Sequence, residues 1–70
     1  MATTNSLADL MQSDAGDWQM HVEFDKTERK WRAELLNFAD FASPSYEGIA
    51  DTMAQALIEL DENIRNGQEA

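Results

Sequence analysis

From Trp18 onward the chain alternates apolar and polar residues, and it does so twice. Trp18, Met20, Val22 and Phe24 alternate with Gln19, His21 and Glu23. A polar link, Asp25-Lys26-Thr27-Glu28-Arg29, follows, and then Trp31, Ala33 and Leu35 alternate with Lys30, Arg32 and Glu34. Successive side chains of a strand point to opposite faces, so each run specifies a strand with one buried face. Two such runs across a short polar link predict a β-hairpin. Both tryptophans fall on the apolar face, where their large apolar area covers the sheet.

The alternation slips after Leu35. Leu36, Phe38 and Phe41 are apolar out of step, so a bulge, a strand end or a twist is expected near Asn37. The stretch Ser43-Pro44-Ser45-Tyr46-Glu47-Gly48 is rich in turn formers. It carries either a short third strand around Ser45 to Ile49 or a helix start with Ser43 as cap and Pro44 in the first position, and Gly48 argues for the strand. Beyond it, Thr52-Met53-Ala54-Gln55 has the form of a capping box. Met53, Ala56, Leu57, Leu60 and Ile64 then recur at helical spacing, and Gly67 is a good terminator. At the other end, Ser6 with Asp9, and Leu7, Leu10 and Met11 at i, i+3 and i+4, allow one or two helical turns. That segment is either a frayed arm ending in a turn at Asp14 to Asp17, or one that docks on the core or a partner.

The expected architecture is therefore α+β. A two- or three-stranded antiparallel sheet, including the hairpin, packs against one C-terminal helix. Residues 1–16 form a flexible or short-helical N-terminal arm and residues 17–70 a single ββα or βββα domain. The expected buried set is Trp18, Met20, Val22, Phe24, Trp31, Ala33, Leu35, Met53, Ala56, Leu57, Leu60 and Ile64. A 70-residue chain buries only roughly 60% of its unfolded surface, so the core must be efficient or be completed by a second subunit. With no Cys there is neither a disulfide framework nor a thiolate zinc site. The apolar runs are far shorter than the ~20 residues a membrane helix needs, and residues 1–16 lack a secretory pattern, so a cytoplasmic protein is expected.

Charge is unevenly distributed. Lys and Arg number 5 against 14 Asp and Glu, for a formal charge of -9. Lys26, Arg29, Lys30 and Arg32 cluster at the hairpin tip and second strand. After Ala33 the acids Glu34, Asp40, Glu47, Asp51, Glu59, Asp61, Glu62 and Glu69 face Arg65 alone. Direct binding to a phosphate backbone is disfavoured, because the cations that release counterions are scarce. Catalytic groups are equally scarce. His21 is the single imidazole, and it shares a strand face with Glu23, a pair best read as solvent-exposed sheet positions. Gly16, Gly48 and Gly67 are isolated and build no phosphate loop, and no spacing resembles a calcium loop. No catalytic, cofactor-binding or metal-binding residues are assigned, and an enzyme is not expected.

Trp31-Arg32-Ala33-Glu34-Leu35, followed by Gly48-Ile49-Ala50-Asp51-Thr52-Met53-Ala54-Gln55-Ala56-Leu57, resembles the small HicB-type antitoxin core and similar short proteins of bacteriophage genomes. The resemblance implies a ββα or βββα core, a phage-encoded chain acting in the host cytoplasm, and a non-enzymatic role in binding protein. The antitoxins carry a DNA-binding segment after this core. The chain ends at Ala70, so a repressor role is not expected to carry over.

Two functional expectations follow. In the first, an acidic face formed by Glu47, Asp51, Glu59, Asp61 and Glu62 binds a basic surface on a host protein and inhibits or modulates it, standing where nucleic-acid phosphates stand. In the second, a dimeric antitoxin-like accessory protein holds a partner chain through its open sheet edge, with Leu36, Phe38, Phe41 and Tyr46 as contact residues or, equally, as packing against the helix end or the N-terminal arm.

Overall fold

The computed structural model describes residues 6–14, 16–40, 42 and 44–69; Phe41, one of the expected contact residues, lies outside them. The element order is α1 (Leu7–Met11), β1 (Trp18–Asp25), β2 (Lys30–Asn37), β3 (Tyr46–Ala50) and α2 (Met53–Asn66). The three strands form an antiparallel sheet in the order β1-β2-β3, with α2 laid across one face. The α+β architecture expected from the alternation is present, with the third strand and a short N-terminal helix both formed.

The hairpin follows the expected register. Met20 pairs with Leu35, Val22 with Ala33 and Phe24 with Trp31, and the turn closes at Asp25–Lys30. The Asp25 carboxylate accepts from the N–H groups of Thr27 and Glu28, and Arg29 takes the left-handed conformation (φ 57°) that brings the chain back into β2. The slip after Leu35 is a strand end. Leu36 keeps the register, β2 stops at Asn37, and the Asn37 side chain accepts from the N–H groups of Asp17 and Ala39.

The core is built where α2 meets β2 and β3. Ala33, Leu35, Ala56, Leu60 and Ile64 are buried, with Trp18, Val22, Trp31, Tyr46, Ala50 and Leu57 packed around them. Gly48 sets the separation between the layers. A Cβ at this position would lie 2.3 Å from both the Ala56 carbonyl oxygen and the Leu60 nitrogen, so the helix backbone rests directly on the strand. Thr52 caps α2 by accepting from the Gln55 N–H (3.1 Å), but the Gln55 side chain donates forward to Glu59, so only half of the expected capping box forms. Gly67 (φ 69°) ends the helix in the left-handed region, with the Gly67 and Gln68 N–H groups bonded to the carbonyls of Ile64 and Asn63.

The N-terminal segment is a docked helix. Ser6 and Asp9 form a complete capping box, Leu7 and Leu10 pack on the core, and the Leu7 N–H donates to the Asp61 carboxylate of α2 (2.9 Å). A helix this short is marginal alone, and these tertiary contacts stabilise it.

Three members of the expected core are corrected. Met20 (38% exposed), Phe24 (43%) and Met53 (48%) lie open. Met53 is the first residue of α2, at the open end of its stripe; strand spacing explains the other two, since a helix about 10 Å across covers two strands about 4.8 Å apart, and α2 sits on β3 and β2. The corresponding face of β1 extends beyond its reach, and α1 packs against only part of that strand.

Candidate functional site

The expected acidic surface is divided by the fold. Glu47 is on the sheet face opposite α2, with its carboxylate 4.0 Å from Arg32 Nε. Asp51 lies in the link between β3 and α2 and pairs with Lys30. Asp61 faces α1, where it accepts from the Leu7 N–H and from Arg65 Nε (2.9 Å each). These hydrogen bonds, the Leu7 N–H foremost, hold its carboxyl below the usual carboxylate range against an opposing effect of burial. Glu59 is half-buried and accepts from Gln55, and Glu62 is exposed on α2. The fold thus engages Glu47, Asp51 and Asp61 with cations or backbone and leaves Glu62 exposed without such a contact among the described residues.

The basic cluster is also partly neutralised. Arg32 sits in the middle of the uncovered sheet face, opposite Glu23, with Glu34 3.9 Å and Glu47 4.0 Å from its guanidinium. Its Nε is buried without a hydrogen-bond partner. Asp25, Glu28, Lys30, Arg32 and Ile49 line a depression of about 390 Å³ on this face. Both signs of charge meet there, so it favours neither a simple anion nor a simple cation. The sequence-level segregation of charge is therefore mixed on this face, because antiparallel pairing brings Glu47 of β3, and Asp51 just after it, beside Arg32 and Lys30 of β2.

Among the apolar candidates, Tyr46 packs on the core with its ring 6.3 Å from Trp18, and Phe38 is exposed where the chain leaves β2. Leu36 is half-buried on the face away from α2. His21 and Glu23 are adjacent on the solvated face, 3.6 Å apart. Among the described residues no group of three or more His, Cys, Asp or Glu is arranged to hold a metal ion, and no helix is long and apolar enough to cross a membrane.

An open sheet edge was expected; the feature missed by sequence reasoning is that Met20 and Phe24, placed in the core, lie exposed beside the outer side of β1. The Phe38 N–H donates to the Asp17 carbonyl (2.8 Å), one step beyond the Trp18–Asn37 pair. Ladder bonds alternate along an antiparallel pair. Asp17, Gln19, His21, Glu23 and Asp25 therefore bond to β2, while the N–H and C=O groups of Trp18, Met20, Val22 and Phe24 point away from it. Among the described residues no strand pairs with that side. Met20 and Phe24 are exposed along it, and Phe24 is backed by Trp31 at a centroid distance of 5.4 Å. The usual guards of an edge, Lys, Pro or a bulge, are missing from Trp18–Asp25. The signal was present in the sequence as two apolar faces wider than one helix.

Comparison of the chain with protein-family models, with curated proteins and with solved structures finds no match.

Proposed function

We propose that this protein is a small non-enzymatic protein-binding module that offers the outer edge of β1, with Met20 and Phe24 beside it, to another polypeptide. One observation carries the reading: an eight-residue strand with outward-facing backbone groups and two large exposed apolar side chains on the α2 side of the sheet, beyond the reach of the helix. Strand addition at such an edge supplies hydrogen bonds from the backbone and selectivity from the flanking side chains. The acids act over a longer range. A charge of -9 disfavours nucleic acid and draws the module toward basic surfaces, with Glu62 and Glu59 on α2 as the acids best placed to contribute. The acidic-face reading, with a host protein as target, differs in which residues carry the energy.

The discriminating experiment immobilises the protein and compares capture of a partner by two variants: Met20→Lys/Phe24→Lys at the edge and Glu59→Gln/Glu62→Gln on α2. Edge binding predicts loss of capture with the first and a modest, salt-dependent change with the second. The reverse result would assign binding to the acidic face.

A further inference from the structure

The β1 edge is complementary to itself. We infer that the chain occupying it is a second copy of the same protein, paired β1 to β1 in antiparallel fashion about a twofold axis through Val22, so that the two sheets become one six-stranded sheet with both α2 helices on the same side. The inference rests on the reading of β1 as the binding edge and specifies both its occupant and its register.

Backbone phase imposes the first condition. The outward groups belong to Trp18, Met20, Val22 and Phe24, so two copies can share a ladder only if these residues face one another. The same pairing keeps the apolar face of both copies on one side, since side chains directly opposite across a ladder share a face. Two registers satisfy the phase and pair about seven strand residues of each copy. One centres on His21, placing imidazole against imidazole with Asp17 and Asp25 brought together at the strand ends. The other centres on Val22, placing Met20 against Phe24, His21 against Glu23 and Gln19 against Asp25.

Hydrogen bonding and side-chain chemistry select the second register. The His21 imidazole meets a carboxylate from the other copy while keeping Glu23 of its own strand 3.6 Å away, so the twofold axis produces an alternating ring of two imidazoles and two carboxylates. The exposed Met20 and Phe24 cover each other, with a thioether against an aromatic ring. About six backbone hydrogen bonds close the ladder. The net charge opposes association, but the post-Ala33 acids Glu47, Asp51, Glu59 and Glu62 are carried by β3, α2 and their link, and β2 separates β3 from the joining edge.

The natural chain has no Cys, so introduced thiols report the register directly. His21→Cys and Glu23→Cys lie on the solvated face, and circular dichroism checks that both variants fold. Mixed and oxidised, the two chains are expected to form a disulfide-linked heterodimer, while either alone cross-links weakly because its own thiols are offset along the ladder. In sedimentation runs from about 1 to about 200 μM the unmodified chain is expected to shift from monomer to dimer. Phe24→Lys is expected to weaken that dimer by about tenfold or more, and Met20→Glu combined with Phe24→Lys to restore it through pairs formed only in this register. A monomer throughout the concentration range overturns the inference, and if edge variants still abolish capture of a different protein, the edge reading survives without it. Cross-linking of His21→Cys alone as efficiently as the mixture overturns the register.

Discussion

Gly48 is the residue on which the two layers close. Its missing side chain lets the Ala56 and Leu60 backbone lie against β3, with Ala33 opposite it on β2. A single methyl group there meets backbone atoms of a packed helix, which cannot rotate away as a side-chain tip can. Gly48→Ala is therefore expected to destabilise the fold by about 1–3 kcal/mol or more through overpacking, measured as a lower midpoint of urea unfolding. Asp61 works at the same scale by joining α1 to α2. Its pKa is depressed in the folded chain, so the stability it contributes is present above the pKa of an unfolded carboxylate, about 4, and is lost as pH falls through the lower folded value. Asp61→Asn keeps an acceptor for the Leu7 N–H but loses the charged partner of Arg65. It is expected to cost about 0.5–1 kcal/mol at pH 7, with a shallower fall in stability on acidification than the natural chain.

At the scale of elements, α2 carries two kinds of apolar residue. Leu60 is fully buried over the sheet, while Met53 lies at the open end of the stripe. Leu60→Ala should cost about 2–5 kcal/mol by leaving a cavity, whereas Met53→Ala should cost under about 1 kcal/mol, a contrast that thermal or chemical unfolding of the two variants will resolve. Periodicity alone placed both residues on the same stripe, and this contrast shows where sequence reading stopped. The hairpin register, Gly48 in a third strand, the Thr52 cap and the Gly67 stop were legible because each depends on residues close together in sequence. Which apolar residues would be covered depended on the width of the helix against the width of the sheet. Met20 and Phe24 lie beyond that width, and Met53 lies beyond the end of the sheet-facing stripe, so alternation and periodicity place all three in a core that does not reach them. The dispersal of the acidic site has a similar cause. Glu47 alternates to the face away from α2, while Asp61 is drawn to α1 by an N–H more than fifty positions earlier in the chain. The local capping pattern of Ser6 and Asp9 is compatible with a frayed arm or a docked helix, and the contact with Asp61 that distinguishes the two lies far away in sequence.

At the scale of the whole molecule, a charge of -9 and an open strand edge make opposite demands on ionic strength. Two copies of the same acidic chain repel one another, and their contact through β1 consists of backbone hydrogen bonds, apolar side chains and pairs at close range. Screening weakens the long-range repulsion more than it weakens this contact, so self-association through β1 should strengthen as salt is raised. Docking on a basic protein through Glu59 and Glu62 uses the same charge as attraction and should weaken over the same range. The stability of the monomer should move with the dimer. Its exposed ion pairs, Lys30 with Asp51 and Arg65 with Asp61, contribute little individually, while the excess of carboxylates is a repulsion that salt relieves. Sedimentation and thermal unfolding in low salt and in about 0.5 M salt should therefore show a tighter dimer and a higher Tm in the second condition. A dimer that loosened with salt would mean that attraction between charged groups contributes more to the joined edge than the backbone ladder and the Met20–Phe24 contact.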